Sequence, residues 1–153
     1  MKIGNKVDNF LNVSFKSISE NESLARLIIS SFVLPLNPTI DELNDIKTSV
    51  SEAVTNSIIH AYNNEDNHLI TMEAFIRNRE VTIKIIDDGI GIKDIDRAKE
   101  PLYTSKPELE RSGLGFTIME SFMDELSITS KEGDGTTLIM SKKISSRDNT
   151  YNE

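Results

Sequence analysis

Glu52 and Asn56 are the first residues along the chain whose types and spacing suggest chemistry. They lie four positions apart in SEAVTNSIIH, so they share one face if this segment is a helix, and His60 continues nearly the same line. A carboxylate can act as a base, and an amide beside it can ligate a hard cation through oxygen. A solvated polar edge of the helix is the alternative that this segment alone leaves open.

A second group, DDGIGI at residues 87–92, follows an apolar run that predicts a buried strand. Asp87 at the strand end could accept a hydrogen bond from an exocyclic amine, and the two nearby glycines allow close approach of the backbone to a ligand or an unusual turn. An ordinary acidic turn is the alternative. The segment is not a Rossmann fingerprint, because no G-x-G-x-x-G opens a helix here.

A third group, SGLGF at residues 112–116, lies where a long loop is predicted to enter a helix. Glycines at a helix N-terminus expose backbone amides and the positive end of the helix dipole, which suits a phosphate. A flexible hinge is the alternative. GDGT at residues 133–136 indicates a hairpin turn. The sequence has neither a Walker loop nor the H-R-D and D-F-G signatures, which excludes P-loop chemistry and the protein-kinase fold.

Hydrophobic periodicity predicts the strands that must position these groups. Alternating or continuous apolar residues predict strands over residues 11–16, 69–76, 81–86, 126–130 and 136–141. Most of these strands are joined by short turns, which favours antiparallel pairing over a doubly wound parallel sheet. The layout predicts a two-layer α/β sandwich, in which a mixed, mostly antiparallel sheet is covered by helices on one face.

Three helices are predicted between the strands. Capping-box spacings at Ser19 and Thr39 predict the starts of the first two, and apolar residues at three- and four-residue steps predict a long second helix. The stripes expected to face the core are Leu24, Leu27, Ile28 and Ser31 on the first helix, and Phe116, Met119, Phe122 and Met123 on the third. Residues 87–112 have little apolar periodicity and are predicted to form a long functional loop.

Composition excludes several classes of protein. The chain has 153 residues, no cysteine, two histidines and a formal net charge of -8. Disulfides, thiolate metal sites and a histidine metal cage are therefore excluded, and direct binding of nucleic acid is disfavoured because it needs a basic surface. No apolar run suits a membrane span or a signal peptide, so a cytoplasmic protein is expected. We expect one domain over residues 1–145 and a polar tail over 146–153.

The order of the motifs is more specific than any one of them. E-x-x-x-N on a helix, D-x-G-x-G after a strand, a lid-like loop, G-x-G at a helix start and G-x-G-T in a hairpin together resemble the Bergerat ATP-binding fold, over residues 39–141. That superfamily contains gyrase-type ATPases, Hsp90 chaperones, histidine kinases and MutL-type proteins. The segments SENESLARLIISSF and EPLYTSKPELERSGLGFTIMESFMDEL look more closely like the anti-sigma F factors of endospore-forming bacteria.

This resemblance implies a function, cofactors and partners. It implies a homodimer that inhibits a sporulation sigma factor (sigma F) and, as a serine kinase using ATP and Mg²⁺, phosphorylates the anti-anti-sigma factor, leaving ADP. The alternatives are a general-stress anti-sigma kinase, or an ATPase or nucleotide-switched binding module of the same fold without protein kinase activity. A histidine kinase would need an upstream phosphoacceptor histidine, and neither histidine lies before the first predicted helix.

The resemblance also implies roles for residues at the base end of the nucleotide and at the reacting group. Glu52 matches the carboxylate that accepts the proton of the substrate serine, and Asn56 matches the ligand of Mg²⁺ in the ATP site. Asp87 matches the aspartate that receives the adenine amino group. Gly89 and Gly91 match glycines that let the backbone pack against the base.

Further matches concern the phosphates and the partner. Residues 100–112 match a lid, in which Arg111 or Lys106 would supply the positive charge that histidine kinases often take from a lysine at the position of Ile59. Gly113 and Gly115 match glycines whose amides bind the phosphates. The resemblance also places Thr136 or Thr137 behind the adenine. Arg26 matches an arginine on the surface that contacts the partner.

Overall fold

The computed structural model of the chain describes residues 7–101 and 115–146. Five strands form one sheet, and four α-helices accompany it within these ranges. The strands are β1 (Asn9–Lys16), β2 (Leu69–Arg77), β3 (Glu80–Asp87), β4 (Glu125–Ser130) and β5 (Thr136–Lys143). The helices are α1 (Glu20–Val33), α2 (Ile40–Asn56), α3 (Ile95–Ala98) and α4 (Gly115–Phe122), with a 3₁₀ turn at Leu34–Leu36 and a π-turn at Ser57–Ala61.

The strand order in the sheet is β1-β2-β3-β5-β4, and each of these four neighbouring pairs is antiparallel. The predicted two-layer sandwich is thus confirmed, whereas the parallel component implied by a mixed sheet is not found among the described strands. Residues of β2 and β3 alternate between buried and half-buried positions, as they do in a sheet with one covered face. The buried face carries Met72, Ile83, Ile85 and Met140 against the helices.

Helix α2 lies at the centre of the helical layer and contacts both α1 and α4. Its predicted apolar stripe is confirmed, because Ile46, Val50, Ala53 and Val54 are fully or almost fully buried. This helix carries the Glu52 and Asn56 pair, so its packing determines where those side chains lie.

The stripe predicted for α1 is wrong in part. The helix buries Ala25, Ile29 and Val33, while Leu27 is 66% exposed and Leu24 is 40% exposed. The α1 segment carries apolar residues on more than one face, and the face that is buried contains the small Ala25. A small residue allows two helices to approach closely, which the periodicity alone does not report.

The two predicted capping boxes have different outcomes. Thr39 accepts a hydrogen bond from the Glu42 amide at 3.0 Å, and the Glu42 carboxylate accepts one from the Thr39 amide at 2.8 Å. Ser19 has helical backbone angles and makes no side-chain capping hydrogen bond, so the box predicted there is not formed. Only the second box therefore satisfies free amides at the start of a helix.

We expect Thr39→Ala to lower the free energy of unfolding by about 1 kcal/mol, because the α2 N-terminus loses its capping hydroxyl. The measurement is urea unfolding followed by circular dichroism. Ser19→Ala is the matched control and should change stability by less than about 0.5 kcal/mol, because that hydroxyl caps nothing. Equal effects of the two substitutions would contradict the assignment.

The residues that follow β5 are bound to the start of α2 by hydrogen bonds. Arg79 donates to the carbonyl oxygens of Leu36 at 2.6 Å and Ser145 at 2.7 Å. The Ser145 amide and hydroxyl donate to the carboxylate of Glu42 at 2.8 and 3.1 Å, and Ile144 beside it is buried. Ser145 therefore belongs to the folded domain, while all but the first residue of the predicted tail lie outside the described ranges.

The segment after β3 is more ordered than its composition predicts. Residues 95–98 form the short helix α3, where the sequence predicted only loop. The Asp94 side chain caps it by accepting a hydrogen bond from the Arg97 amide at 3.1 Å.

Among the helices that the structure describes, none has the length and apolarity that crossing a bilayer would require.

Candidate functional site

A cavity of about 490 Å³ opens between α2, the sheet and the segment that follows β3. Its walls come from the end of α2 with the π-turn, from the inner face of β3 and β5, from the loop and helix after β3, and from the start of α4. All the motifs that fall within the described residues are near this cavity. The residues singled out from the sequence are far apart along the chain but lie close to one cavity in the structure.

The Glu52 and Asn56 side chains face the first residue of α4. A Cβ atom added at Gly115 would lie 3.1 Å from Oε2 of Glu52 and 3.5 Å from both Oδ1 and Nδ2 of Asn56. Gly115 is buried and lines the cavity together with Asn56. A side chain at this position would press against both functional groups, so the glycine keeps the carboxylate and the amide accessible at a helix N-terminus.

The Asn56 amide is incompletely satisfied within the described part of the chain. Its Nδ2 atom is buried and has no hydrogen-bond partner there. A buried amide N–H without an acceptor costs free energy, so a polar group from outside the described residues would stabilise this side chain. His60, one turn further along the same line, also borders the cavity.

Asp87 is held rigidly at the other side of the cavity. Its Oδ1 accepts hydrogen bonds from the amides of Gly89 at 3.1 Å and Thr136 at 3.2 Å, and its Oδ2 accepts one from the Ser57 hydroxyl at 3.1 Å. The side chain is 6% exposed, and this burial raises the pKa of Asp87 above its ordinary value despite the three donors. A carboxylate fixed in this way can serve as a directional hydrogen-bond acceptor.

The glycines of the DDGIGI segment allow it to pack against two other parts of the fold. A Cβ atom at Gly89 would lie 2.5 Å from the carbonyl oxygen of Ala61, and one at Gly91 would lie 2.1 Å from that of Lys131. Gly91 also has φ +75°, which favours glycine. Of these two glycines only Gly91 borders the cavity, so the tight approach predicted for Gly89 is to the protein itself.

The structure brings some predicted residues to the cavity and not others. Thr136 borders it, whereas Thr137 does not, because successive residues of β5 point to opposite faces of the sheet. Of the two threonines expected behind the adenine, only Thr136 thus borders the cavity. Arg26 lies on α1 away from the cavity and donates to Ser51 at 2.7 Å and Ser23 at 2.8 Å. Three predicted residues lie outside the described ranges, namely Lys106, Arg111 and Gly113.

Several residues at or next to the cavity belong to no predicted motif. Ser57 follows Asn56 directly and donates to Asp87, and Tyr62 bonds to the amide of Asp88. Lys93 and Arg97 add positive charge near the cavity mouth on the segment around α3. The only feature of the sequence that pointed to Lys93 and Arg97 was their position within the long loop predicted to be functional. No local sequence pattern pointed to Ser57 or Tyr62.

Comparison with known proteins defines the class to which this fold and site belong. Residues 17–142 match the histidine kinase-like ATPase domain family. The structure resembles that of the RsbU and RsbW domains of a Mycobacterium tuberculosis protein, with TM-score 0.63 at 16% identity over 89% of this chain and 32% of that one. It also resembles the catalytic domain of the histidine kinase ThkA, with TM-score 0.55 at 16% identity over 89% of this chain and 96% of that one. The fold is thus the nucleotide-binding fold that the motif order predicted.

Sequence similarity narrows the class further. The chain is 57% identical to an anti-sigma F factor of Clostridium beijerinckii over 137 residues, which cover 90% of this chain and 96% of that one. It is 54% identical to an anti-sigma F factor of Oceanobacillus iheyensis over 144 residues, which cover 94% of this chain and 99% of that one. The chain belongs to the anti-sigma F factor family.

Proposed function

We propose that this protein is an anti-sigma factor that binds and inhibits a sporulation sigma factor, sigma F, and that it is also a serine kinase of the anti-anti-sigma factor. The observation that carries the proposal is the placement of the Glu52 and Asn56 pair against Gly115, at one side of a cavity whose other side holds Asp87. Family membership supports the sigma-binding half. The geometry of the cavity supports the kinase half. A role in the cytoplasm, where ATP is available, is part of the same proposal.

The base of ATP would bind at Asp87. Three donors hold this carboxylate in place, and it can accept a hydrogen bond from the exocyclic amino group of adenine. Thr136 lies beside it on the inner face of the sheet, and Ile85, Ile90 and Leu138 supply apolar surface in the same cavity. An apolar slot with one directional acceptor is the usual construction of a site for a planar base.

The phosphates would bind at the start of α4. The helix N-terminus, the buried Nδ2 of Asn56, which has no partner among the described residues, and the open space at Gly115 suit an anion there. The Oδ1 of Asn56 is the type of oxygen that ligates Mg²⁺, so the residues present fit this ion. When bound, Mg²⁺ would neutralise charge on the phosphates. Gly113, Arg111 and Lys106 are proposed to add contacts to the phosphates, and Lys93 and Arg97 border the cavity.

Glu52 is proposed to act as the base in phosphoryl transfer. Its carboxylate would take the proton from the hydroxyl of the partner's serine, while that oxygen forms a bond to the γ-phosphorus of ATP. The bond between the γ-phosphorus and the bridging oxygen breaks, and the electron pair leaves with ADP. The products are a phosphoserine on the anti-anti-sigma factor and ADP.

The partner surface is proposed to adjoin the catalytic helix. Arg26 on α1 donates to Ser51, the residue that precedes Glu52, so a protein contacting Arg26 would reach the helix that carries the base. Partners that bind the ATP and ADP forms with different affinities can be exchanged by the state of the nucleotide. We also propose a homodimer, for which β1 offers a free edge in the described sheet.

The proposal is tested by mixing the purified protein with Mg²⁺ and γ-labelled ATP, a sporulation sigma factor and its anti-anti-sigma factor. We expect label on a serine of the anti-anti-sigma factor and a complex with the sigma factor by size-exclusion chromatography coupled to light scattering, which also reports the homodimer. Hydrolysis of ATP without any transfer would favour an ATPase, and sigma binding without transfer would favour a binding module. An inert anti-anti-sigma factor with transfer to a general-stress homologue would favour the general-stress kinase.

A further inference from the structure

Tyr62 is a buried residue that links three separate segments of the fold, two of which border the candidate nucleotide cavity. Its side chain is 4% exposed, and its hydroxyl donates to the carbonyl oxygen of Leu69 at 2.7 Å. The same hydroxyl accepts a hydrogen bond from the amide of Asp88 at 2.7 Å. One phenol oxygen therefore joins the end of the π-turn, the start of β2 and the residue directly after Asp87.

The π-turn is the reason that Tyr62 reaches this position. The Tyr62 amide donates to the Ser57 carbonyl at 3.0 Å, which closes a turn that is one residue wider than an α-helical turn. Ser57 at the beginning of this turn donates to the Asp87 carboxylate, and Tyr62 at its end accepts from Asp88. A single short segment thus holds both the side chain of Asp87 and the backbone that follows it.

The Tyr62 ring is itself fixed in orientation. It stacks on the imidazole of His68 with the ring centroids 4.4 Å apart and the planes within 4° of parallel. The His68 Nε2 atom lies 2.8 Å from a carboxylate oxygen of Glu65, which holds the imidazole in turn. Burial raises the pKa of the Tyr62 phenol above its ordinary value, so the hydroxyl keeps its proton for Leu69 while it accepts from Asp88.

We propose that Tyr62 is a positioning residue whose hydroxyl fixes the loop after Asp87 and thereby sets the preference of the cavity for adenine over guanine. This inference rests on the proposed nucleotide-binding function. The loop touches the π-turn at two further points, because Ile90 donates to the Ala61 carbonyl at 3.2 Å and Gly89 packs against the same oxygen. Without the phenol oxygen, Asp88 would lose its acceptor and the loop could move relative to the turn.

The expected effect is on selectivity as well as affinity. A fixed Asp87 carboxylate accepts from the amino group of adenine and repels the carbonyl oxygen that guanine presents at the same place. A loosened loop would allow Asp87 to turn away from that carbonyl, so GTP should lose less affinity than ATP. The phosphates bind at the opposite side of the cavity, so ATP and ADP should lose affinity by similar factors.

We expect Tyr62→Phe to weaken the binding of ATP and of ADP by roughly tenfold, the effect of losing the hydrogen bond that holds the Asp88 amide. Isothermal titration calorimetry with ATP, ADP and GTP gives the three affinities. The ratio of the ATP affinity to the GTP affinity should be smaller in the variant than in the unaltered protein. In the protein without nucleotide, amide hydrogen exchange measured by NMR should be faster at Asp88 and unchanged at core amides such as Ile83.

Ser14→Ala is the matched control. Ser14 makes one side-chain hydrogen bond, to the Thr71 hydroxyl at 2.8 Å, on the opposite face of the sheet. Its loss should leave all three nucleotide affinities within about twofold, because a single exposed hydrogen bond contributes little and lies away from the cavity. This control separates the loss of a hydrogen bond in general from the loss of the one at Asp88.

Two results would overturn the inference while leaving the proposed function intact. One is unchanged ATP affinity in Tyr62→Phe, and the other is an equal loss for ATP and GTP with faster exchange throughout the core, which would indicate a merely structural role. A failure of the unaltered protein to bind ATP would instead contradict the proposed function, and the inference with it.

Discussion

Phosphate transfer to the anti-anti-sigma factor should fall by a factor of about 10²–10⁴ in Glu52→Gln, the usual contribution of a general base. Glutamine has nearly the same size as glutamate and can occupy the space beside Gly115. Oε2 of Glu52 now lies 3.1 Å from where a Cβ atom added at Gly115 would be. Glutamine cannot take the proton of the substrate serine. Binding of ATP should stay within about twofold, because Glu52 is proposed to act on the hydroxyl of the partner and not on the nucleotide.

Single-turnover transfer of labelled phosphate measures the rate, and calorimetry with ATP measures binding in the same variant. Glu125→Gln removes an equivalent carboxylate from β4, where the side chain is exposed and lies away from the cavity, and should transfer phosphate at the normal rate. Normal turnover in Glu52→Gln would mean that another group accepts the proton.

The second large effect is expected at the base end of the cavity, where Asp87→Asn should abolish detectable nucleotide binding, a loss of roughly 10²-fold or more. The amide oxygen of asparagine can still accept from Gly89 and Thr136, which both donate to Oδ1. The NH₂ group then replaces Oδ2 and faces the adenine amino group, so two donors oppose each other. The fold should survive, because the Ser57 hydroxyl can accept from this NH₂ group.

Calorimetry with ATP checks the prediction, and Asp88→Asn is the control, since Asp88 is the adjacent carboxylate and is exposed. Unchanged ATP affinity in Asp87→Asn would refute the adenine role.

The raised pKa of Asp87 adds a pH dependence to nucleotide binding, because protonation removes the acceptor as the pH falls through that pKa. Stability runs the other way: with the folded pKa above the unfolded one, this group stabilises the fold fully at low pH and less as the pH rises through the folded pKa.

Local patterns predicted much of this fold. Strict alternation predicted the inward face of β1, and the Thr39 box predicted the start of α2, because both depend on residues a few positions apart. The Glu52 and Asn56 pair was found in the same way, from a spacing that a helix converts into a shared face. The order of the motifs then placed Asp87 and Gly115 in the same site, a long-range relation that only the resemblance to a known fold supplied.

What could not be predicted depends on how distant parts of the chain meet. A shift of one residue in strand register exchanges the two faces, so the choice between Thr136 and Thr137 required the pairing of Thr136 with Asp87. The exposure of Leu27 depends on which face of α1 packs against α2. The role of Tyr62 depends on a π-turn and on a contact with a loop that lies 26 residues away along the chain.

The binding of Ser145 by Glu42 and Arg79 determines where the protein can be shortened or fused to a reporter. Glu42 also completes the cap of α2, so a chain cut before Ser145 would remove two donors from the carboxylate that organises the start of the helix carrying Glu52. A fluorescent label or purification tag is better joined after residue 146. Fusions made there leave both the cap and α2 with their present contacts, and so suit binding assays with the sigma factor.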